Sequence, residues 1–308
     1  MSVLFIALRS PFTIFVPKNN IIEMEEKHVR KPEWLKIKIG STETSAQVGN
    51  ILRSHCLHTI CTSGRCPNQA ECWSRGTATF MILGNICTRS CRFCNTPTGH
   101  PLPPAADEPQ KLAESVKLMK LKHAVITSVD RDDLPDQGAG HWAECIRAVR
   151  SENPGTTIEV LLPDFQGKAE LMATVIDARP DILGHNIETV RRITPDVRSA
   201  ARYDRSLEVL RQMATSGIPT KSSIMLGLGE TRDEILETMD DLRAAGVTIF
   251  TLGQYLQPTR KHLPVREYVH PDTFREYKEI ALKKGFRACE SGPLVRSSYH
   301  AEGTFRSL

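Results

Sequence analysis

The sequence of 308 residues lacks any run of about 20 apolar residues, the length that a helix needs to cross a bilayer. It also lacks a strong charge of one sign, because 40 basic and 36 acidic residues leave a formal net charge of +4. We therefore expect neither a nucleic-acid nor a membrane partner. Residues 1–22 are mostly apolar, but Arg9 follows the run 3–8, which is the wrong order for a secretory signal peptide. We expect a disordered start of undefined role and a location in a reducing cytoplasm.

Cysteine is abundant, but its pattern does not fit a disulfide framework. The count of nine is odd, the chain is large, and Cys145 and Cys289 lie far from the other cysteines. Six of the seven cysteines between Cys56 and Cys94 form two triplets, which are Cys61, Cys66, Cys72 and Cys87, Cys91, Cys94. We interpret Cys56, Cys145 and Cys289 as thiols that bind no metal.

Each triplet is one sulfur short of a closed tetrahedral metal site. The spacings are C-x4-C-x5-C and C-x3-C-x2-C, whereas a structural zinc site usually combines two closely spaced pairs. An electron-transfer ferredoxin has a different local spacing and supplies a fourth cysteine. The triplets therefore predict metal centres that keep one position open.

Apolar, β-branched segments alternate with segments of helical periodicity along the middle of the chain. The predicted strands are 77–84, 123–130, 157–163, 181–188, 221–228 and 247–256, and the predicted helices are 107–121, 143–151, 206–216, 232–245 and 272–284. Polar residues gather where the strands end. We therefore predict an α/β fold with a partial (β/α)6 TIM-type barrel and its functional face at the carboxyl ends of the strands. An open doubly wound sheet is the competing architecture.

The chain is predicted to have three zones. Residues 1–76 form a cysteine-rich N-terminal extension, residues 77–285 form the barrel, and residues 286–308 form a C-terminal tail that covers the barrel mouth. The second triplet directly follows the first predicted strand, so its thiols are expected at the functional rim.

The loop 84–96 (GNICTRSCRFCNT) resembles the signature of the radical S-adenosylmethionine (SAM) superfamily. The first triplet, in 61–73 (CTSGRCPNQAECW), extends the resemblance to the lipoyl synthase family within it. Further stretches that resemble this family are 30–39 (RKPEWLKIKI), 125–134 (VITSVDRDDL), 185–190 (HNIETV), 227–231 (GLGET), 251–258 (TLGQYLQP) and 292–301 (GPLVRSSYHA). The resemblance covers roughly residues 30–302, nearly the whole chain.

This resemblance implies a radical insertion of two sulfur atoms at C6 and C8 of an octanoyl chain bound to a lysine of a carrier protein. It implies two 4Fe-4S clusters and S-adenosyl-L-methionine as cofactors. Cys87, Cys91 and Cys94 would be the catalytic set, leaving one iron free to chelate SAM. Cys61, Cys66 and Cys72 would hold an auxiliary cluster that is consumed as the sulfur donor. The fourth ligand of that cluster is expected to be Ser298, with Ser297 as the alternative.

The same resemblance implies weaker assignments around the strand ends. Ser128, Asp130, Asn186 and Glu188 are expected to contact SAM, although aspartates such as Asp130 often belong to a solvated acidic turn. His185 and His262 are equally compatible with structural histidines. The 227–231 turn has too few glycines for a dinucleotide fingerprint and is expected to shape the rim.

The implied partners are octanoylated lipoyl domains of 2-oxoacid dehydrogenase complexes and the glycine cleavage H protein. An electron donor such as ferredoxin or flavodoxin and an iron-sulfur carrier for cluster repair are also implied. Two alternatives are another radical sulfur-inserting enzyme, similar to biotin synthase, and a non-catalytic metal-binding or electron-transfer protein. The former has no reason to carry the first triplet together with the paired serines.

Overall fold

The computed structural model describes residues 30–36, 43–55, 57–64, 66–74 and 78–299. Within these ranges the strands are β1 (His58–Thr59), β2 (Thr79–Ile82), β3 (His123–Ser128), β4 (Thr157–Leu161), β5 (Ile182–Gly184), β6 (Thr220–Leu226), β7 (Ile249–Gln254) and β8 (Ala288–Gly292). The α-helices are α1 (Glu43–Ser54), α2 (Ile60–Ser63), α3 (Gln69–Ser74), α4 (Glu108–Leu118), α5 (Ala139–Glu152), α6 (Ala169–Asp177), α7 (Thr194–Val197), α8 (Tyr203–Thr215), α9 (Arg232–Ala244) and α10 (Pro271–Lys283). The expectations for residues 1–22, for Cys56 and for the domain boundary at 76 lie outside the described residues.

The strands follow one another in the sheet in the same order as in the chain. β1 pairs antiparallel with β2, whereas every pair from β2–β3 to β7–β8 is parallel. Consecutive parallel strands are the arrangement of a TIM-type barrel, whereas a doubly wound sheet reverses its strand order at a switch point. Among the described strands, β8 pairs with β7 and not with β2, so the barrel is unclosed. The predicted partial barrel is confirmed and the doubly wound alternative is wrong.

The strands are apolar along their length because the barrel and its helices bury both of their faces. All four residues of β2 and all six of β7 are buried. The helices form the outer layer, where α4 packs against α5. Four fully buried side chains of these helices belong to the main core, and burying each contributes roughly 1.5–3 kcal/mol; they are Leu112, Val116, Ile146 and Val149.

The 227–231 turn shapes the rim where β6 ends and α9 begins. The Glu230 carboxylate accepts hydrogen bonds from the backbone N–H groups of Gly227 and Leu228. Thr231 then caps α9, since its hydroxyl accepts from Glu234 N while the Glu234 side chain accepts from Thr231 N. This reciprocal capping box satisfies N–H groups that a helix start leaves free.

The structure adds elements that the sequence patterns did not predict. β8 comes from the zone assigned to the tail, so the parallel strands number seven rather than six. Its sequence, ACESG, contains no β-branched residue, and pairing with β7 makes it a strand. Helix α6 was also missed, and α5 begins at Ala139 instead of residue 143 because Gly138, with φ of 85°, starts it. No helix of the described ranges is long and apolar enough to cross a membrane.

Candidate active site

A cavity of about 510 Å³ opens at the carboxyl ends of the parallel strands. This volume lies within the usual range of small-molecule sites. Its wall includes the second cysteine triplet and every expected SAM contact: Cys87, Cys91, Cys94, Ser128, Asp130, Asn186 and Glu188. The cavity also borders the first cysteine segment (residues 57–74, which carry the first triplet) through Ile60, Gly64 and Pro67. It borders the C-terminal segment (residues 293–299, which carry the paired serines) through Arg296 and Ser297. The cavity therefore contains the second triplet and borders the segments that carry the first triplet and the paired serines, whereas Cys61, Cys66, Cys72 and Ser298 themselves do not line it.

The second cysteine loop follows β2 and is folded back on itself by backbone hydrogen bonds. Cys87 N donates to Pro97 O at 2.8 Å, and Gly99 N donates to Cys87 O at 3.0 Å. Cys94 N donates to Cys91 O at 3.1 Å. A charge on Cys94 raises the pKa of both Cys87 and Cys91, so the three thiols lie within electrostatic range of one another. All three line the cavity wall, although the described residues hold no preassembled group of three metal-binding side chains.

Arg89, between the first two cysteines of this loop, anchors it to the barrel. Its side chain is 3% exposed and forms ion pairs with Asp130 at 3.2 Å, Asp132 at 2.7 Å and Asp164 at 2.8 Å. Burial disfavours the charged guanidinium, but the three carboxylates outweigh burial and raise the pKa of Arg89. Arg89 in turn holds the pKa of Asp132 below its usual value. Burial alone would raise the pKa of Asp164, but the charge and hydrogen bond of Arg89 lower it further than burial raises it. At Asp130, burial and the neighbouring carboxylates raise the pKa by more than Arg89 lowers it.

The surroundings of Cys87 suit a sulfur bound to iron. Burial, followed by the nearby Asp130 charge, raises the pKa of the free Cys87 thiol to about 12. The backbone N–H groups of Arg89 and Asp130 point at Cys87 Sγ, at 3.4 and 3.3 Å. Such N–H groups stabilise a thiolate, and a bound metal cation favours deprotonation in the same direction. The loop therefore fits an iron-sulfur cluster.

Ser128 and Glu188 carry features of a ligand site. Ser128 Oγ is buried and has no hydrogen-bond partner among the described residues. Glu188 has a φ of 70°, which is unusual for a residue other than glycine and is often found at functional sites. Its backbone is held there because Glu188 N donates to Ser223 O at 3.0 Å and Met225 N donates to Glu188 O at 2.8 Å. Burial raises the pKa of the Glu188 carboxyl.

Arg198 is a residue of this cavity that sequence reasoning missed. Its Nη1 donates to Asn186 O at 3.3 Å and to Ser206 Oγ at 3.0 Å, while its buried Nε has no hydrogen-bond partner among the described residues. Its charge lowers the pKa of Cys91 and Glu188 against the larger effect of burial. No signal in the sequence distinguishes Arg198 from the other arginines around it.

The two histidines of this region are structural. His185 Nδ1 donates to Leu162 O at 2.9 Å and its Nε2 accepts from Ser206 Oγ at 2.9 Å, while burial lowers its pKa to about 4. His262 Nε2 donates to Cys94 O at 2.9 Å, so its Nδ1 accepts from Thr259 Oγ1 at 2.8 Å. His262 thereby fixes the end of the second cysteine loop.

The first triplet lies on two short helices beside β2. Cys61 is in α2, Cys72 is in α3, and Cys66 lies between these helices. Cys61 is buried, whereas Cys66 and Cys72 are half-buried. The segment is folded by hydrogen bonds from Cys66 N to Cys61 O at 3.0 Å and from Cys72 N to Asn68 O at 2.9 Å.

Ser298 reaches the first triplet through Thr79. The Thr79 hydroxyl donates to Ser298 Oγ at 2.9 Å. Burial raises the pKa of Cys61, and hydrogen bonding by the same threonine opposes the shift. Ser298 and Cys61 therefore both contact the Thr79 side chain, whereas Ser297 lines the cavity.

The rest of the C-terminal segment is fastened to the barrel and to the first triplet. Gly253 allows a close approach, because an added Cβ would lie 2.1 Å from Val295 O. Asn68 Nδ2 donates to Leu294 O at 2.6 Å, and Tyr299 Oη donates to the Glu71 carboxylate at 3.3 and 3.4 Å. The tail is thus attached to the first cysteine segment.

Two cysteines lie away from both triplets. Cys145 is buried in α5 and Cys289 is buried in β8. Burial raises the pKa of both thiols, that of Cys289 to about 12. They line no part of the cavity.

Comparisons with known proteins agree with this geometry. The model of the radical SAM superfamily matches residues 81–242. The crystal structure of Streptococcus suis SuiB bound to S-adenosylmethionine is similar in fold, with a TM-score of 0.56 at 12% identity over 82% of this chain and 57% of that chain.

Curated relatives cover nearly the whole chain. The lipoyl synthase of Parabacteroides distasonis is 63% identical over 90% of this chain and 98% of its own length. That of Bacteroides fragilis is 64% identical over 91% of this chain and 98% of its own length. The chain therefore belongs to the lipoyl synthase family, a group of sulfurtransferases within the radical SAM superfamily.

Proposed function

We propose that this protein inserts two sulfur atoms at C6 and C8 of an octanoyl chain that is amide-linked to a lysine of a carrier protein, giving lipoyl-lysine. These carbons are unactivated, so a side-chain acid or base cannot remove a proton from them. When bound, the two 4Fe-4S clusters and SAM supply the radical and the sulfur atoms. The residues of the chain bind these groups, align the acyl chain and exclude water.

Cys87, Cys91 and Cys94 are the proposed ligands of the radical-generating cluster. Ser128, Asp130, Asn186 and Glu188 are the proposed contacts of SAM, to which we add Arg198. The free hydroxyl of Ser128 and the unpartnered Nε of Arg198 support this assignment, since both are buried at the cavity. The carboxylates suit the ammonium and hydroxyl groups of SAM, whereas the guanidinium suits its carboxylate.

Cys61, Cys66, Cys72 and Ser298 are the proposed ligands of the auxiliary cluster. A serine oxygen is a hard ligand at a soft iron-sulfur centre, which suits a cluster that must be taken apart to release sulfur. The link through Thr79 supports Ser298 over Ser297 as this ligand. Arg296 lines the cavity and interacts electrostatically with Cys66, so its charge would help to balance the negative charge of such a cluster.

The proposed carriers are octanoylated lipoyl domains of 2-oxoacid dehydrogenase complexes and the glycine cleavage H protein. A ferredoxin or flavodoxin would supply electrons, an iron-sulfur carrier would rebuild the spent cluster, and the reaction would take place in the cytoplasm. Residues 1–76 would carry the auxiliary cysteines and 77–285 the radical barrel, to which β8 adds residues 288–292, and the rest of 286–308 would form the covering tail.

The observation that supports this proposal is a cavity lined by the second triplet that also borders the segment of the first triplet, at Gly64 and Pro67, and the C-terminal segment, at Ser297. A radical formed at one end would meet a sulfur donor at the other without leaving the protein. The test is mass spectrometry of an octanoylated carrier peptide after anaerobic incubation with the reconstituted protein, dithionite and SAM. A mass gain that corresponds to two sulfur atoms is expected.

Alanine variants separate the two halves of the reaction. Cys91→Ala should abolish both deoxyadenosine formation and sulfur insertion, whereas Cys61→Ala should cleave SAM without inserting sulfur. Cys145→Ala is the matched control, because this buried cysteine lies away from the cavity and both activities should persist. Normal lipoyl product from Cys61→Ala would refute the donor assignment.

A further inference from the structure

A direct hydrogen bond joins the two cysteine segments. Asn95 Nδ2 donates to Ser63 O at 2.7 Å. Asn95 immediately follows Cys94 of the second loop, and Ser63 lies two residues after Cys61 of the first. The two ligand sets are therefore linked through one side-chain amide and a few backbone bonds.

Ser63 is the last residue of α2, the four-residue helix that carries Cys61. Carbonyl groups at a helix end have no partner inside the helix, and a side chain that donates to one of them fixes the helix end in place. The Ser63 hydroxyl is also anchored, since it donates to Thr59 O at 3.2 Å and contacts Met81 Sδ at 3.8 Å. The amide of Asn95 adds an attachment to the second cysteine loop.

The other end of the bond is held by the barrel. His262 Nε2 donates to Cys94 O at 2.9 Å, and the His262 ring is itself held by Thr259. Asn95 lines the cavity alongside Cys94 and Gly64. The chain from Thr259 through His262, Cys94 and Asn95 to Ser63 therefore runs from the barrel rim to the first cysteine segment.

Transfer of a carbon radical to a sulfur depends on ångström-scale alignment, because a small misplacement of reacting groups slows a reaction strongly. We infer that Asn95 is a positioning residue that sets the distance between the radical-generating and sulfur-donating segments. It acts through the carbonyl of Ser63. This inference rests on the proposed function, since it assigns the two segments those roles.

The decisive measurement is the ratio of 5′-deoxyadenosine formed to sulfur atoms inserted. A hydrogen bond of about 1 kcal/mol changes an equilibrium about fivefold, so Asn95→Ala should raise this ratio about fivefold, with deoxyadenosine formation retained. Asn95→Asp keeps the shape without the N–H donor and should raise the ratio at least as much. An unchanged ratio in Asn95→Ala, or wild-type behaviour of Asn95→Asp, would overturn the inference.

Asn153→Ala is the matched control. Asn153 is a buried asparagine at the end of α5 that also donates from Nδ2 to a carbonyl, Ala113 O at 3.0 Å, far along the chain from either triplet. Its loss should lower the stability of the protein and reduce deoxyadenosine formation and sulfur insertion by the same factor, leaving their ratio unchanged. A raised ratio in this variant would mean that general destabilisation causes uncoupling, which would also overturn the inference.

A second readout needs no cluster. In the cluster-free protein, hydrogen–deuterium exchange of the 57–64 peptide should be about fivefold faster in Asn95→Ala than in wild type, because α2 has lost an attachment. Exchange at the wild-type rate would refute the attachment. If wild-type protein gives no product with two sulfurs, the proposed function fails, and this exchange result still decides whether Asn95 holds α2.

Discussion

Replacing Arg89 by methionine tests how the barrel holds the second cysteine loop. Methionine keeps most of the length of the side chain but removes the charge that pairs with Asp130, Asp132 and Asp164. Asp164 is fully buried, so water cannot take the place of the guanidinium there, whereas Asp130 and Asp132 are 23–25% exposed and can be partly hydrated. Breaking a buried ion pair by removing one partner costs about 3–5 kcal/mol. This is a large share of the roughly 5–15 kcal/mol that stabilises a folded domain.

The loss should depend on pH with a defined sign. In wild type the folded pKa of Asp132 and Asp164 lies below the unfolded value, so their stabilisation is present above the unfolded pKa near 4 and is lost as pH falls through the lower folded pKa. In Arg89→Met, Asp132 loses its cation and Asp164 keeps only the Arg205 guanidinium at 3.8 Å, so burial raises the folded pKa of these carboxyls above that in wild type, and protonation relieves part of the penalty. The difference in the free energy of unfolding should therefore shrink between pH 7 and pH 5.

The assay is equilibrium denaturation of cluster-free protein followed by circular dichroism at both pH values. Arg89→Lys keeps a charge without the planar fork and should lose less stability than Arg89→Met. Arg232→Met is the exposed control, since its ion pair with Glu276 is about half exposed on both sides and is screened by water. The reasoning is refuted if Arg89→Met costs no more than Arg232→Met, or if its deficit grows towards pH 5.

Three further changes test the rim and the tail. Gly253→Ala should lower the free energy of unfolding by about 1–3 kcal/mol in the same denaturation assay, because its Cβ would meet Val295 O; an unchanged midpoint would contradict that close approach. Ser298→Ala should reduce the iron bound after reconstitution and stop sulfur insertion, whereas Ser297→Ala should keep both, and the reverse order would reassign the ligand. Thr231→Ala should cost about 1 kcal/mol through loss of the α9 cap, and thermal unfolding at the wild-type midpoint would show that the cap is not formed in solution.

The strands and the second triplet were predictable because their signals are local. Runs of buried, β-branched residues such as 123–128 form strands in any sheet that covers both faces. The cysteine spacing and its place after the first parallel strand are visible in a few residues. The partial barrel and the position of Cys87, Cys91 and Cys94 at its rim followed from these two patterns.

The missed features depend on contacts between residues that are distant in the chain. β8 has weak strand propensity and exists because β7 offers a pairing partner. Arg89 and Arg198 look like surface arginines in sequence, and only the folded chain surrounds Arg89 with Asp130, Asp132 and Asp164. The link from Asn95 to Ser63 spans 32 positions and has no pattern of its own.

The two triplets differ in how their surroundings would respond to the loss of a ligand. The second loop is tied to the barrel by the ion pairs of Arg89, so moving it would disturb buried charges at a cost of several kcal/mol. The first triplet lies outside the parallel strands on short helices, where Asn68, Thr79 and Tyr299 connect it to the tail through individual hydrogen bonds. Each such bond contributes only about 1 kcal/mol, and Cys66 and Cys72 are half-buried at the edge of the core to which Cys61 belongs, so opening around these two cysteines disturbs less than moving the second loop. This contrast supports a permanent radical generator in the barrel beside a sulfur donor that can be dismantled and rebuilt without unfolding the enzyme.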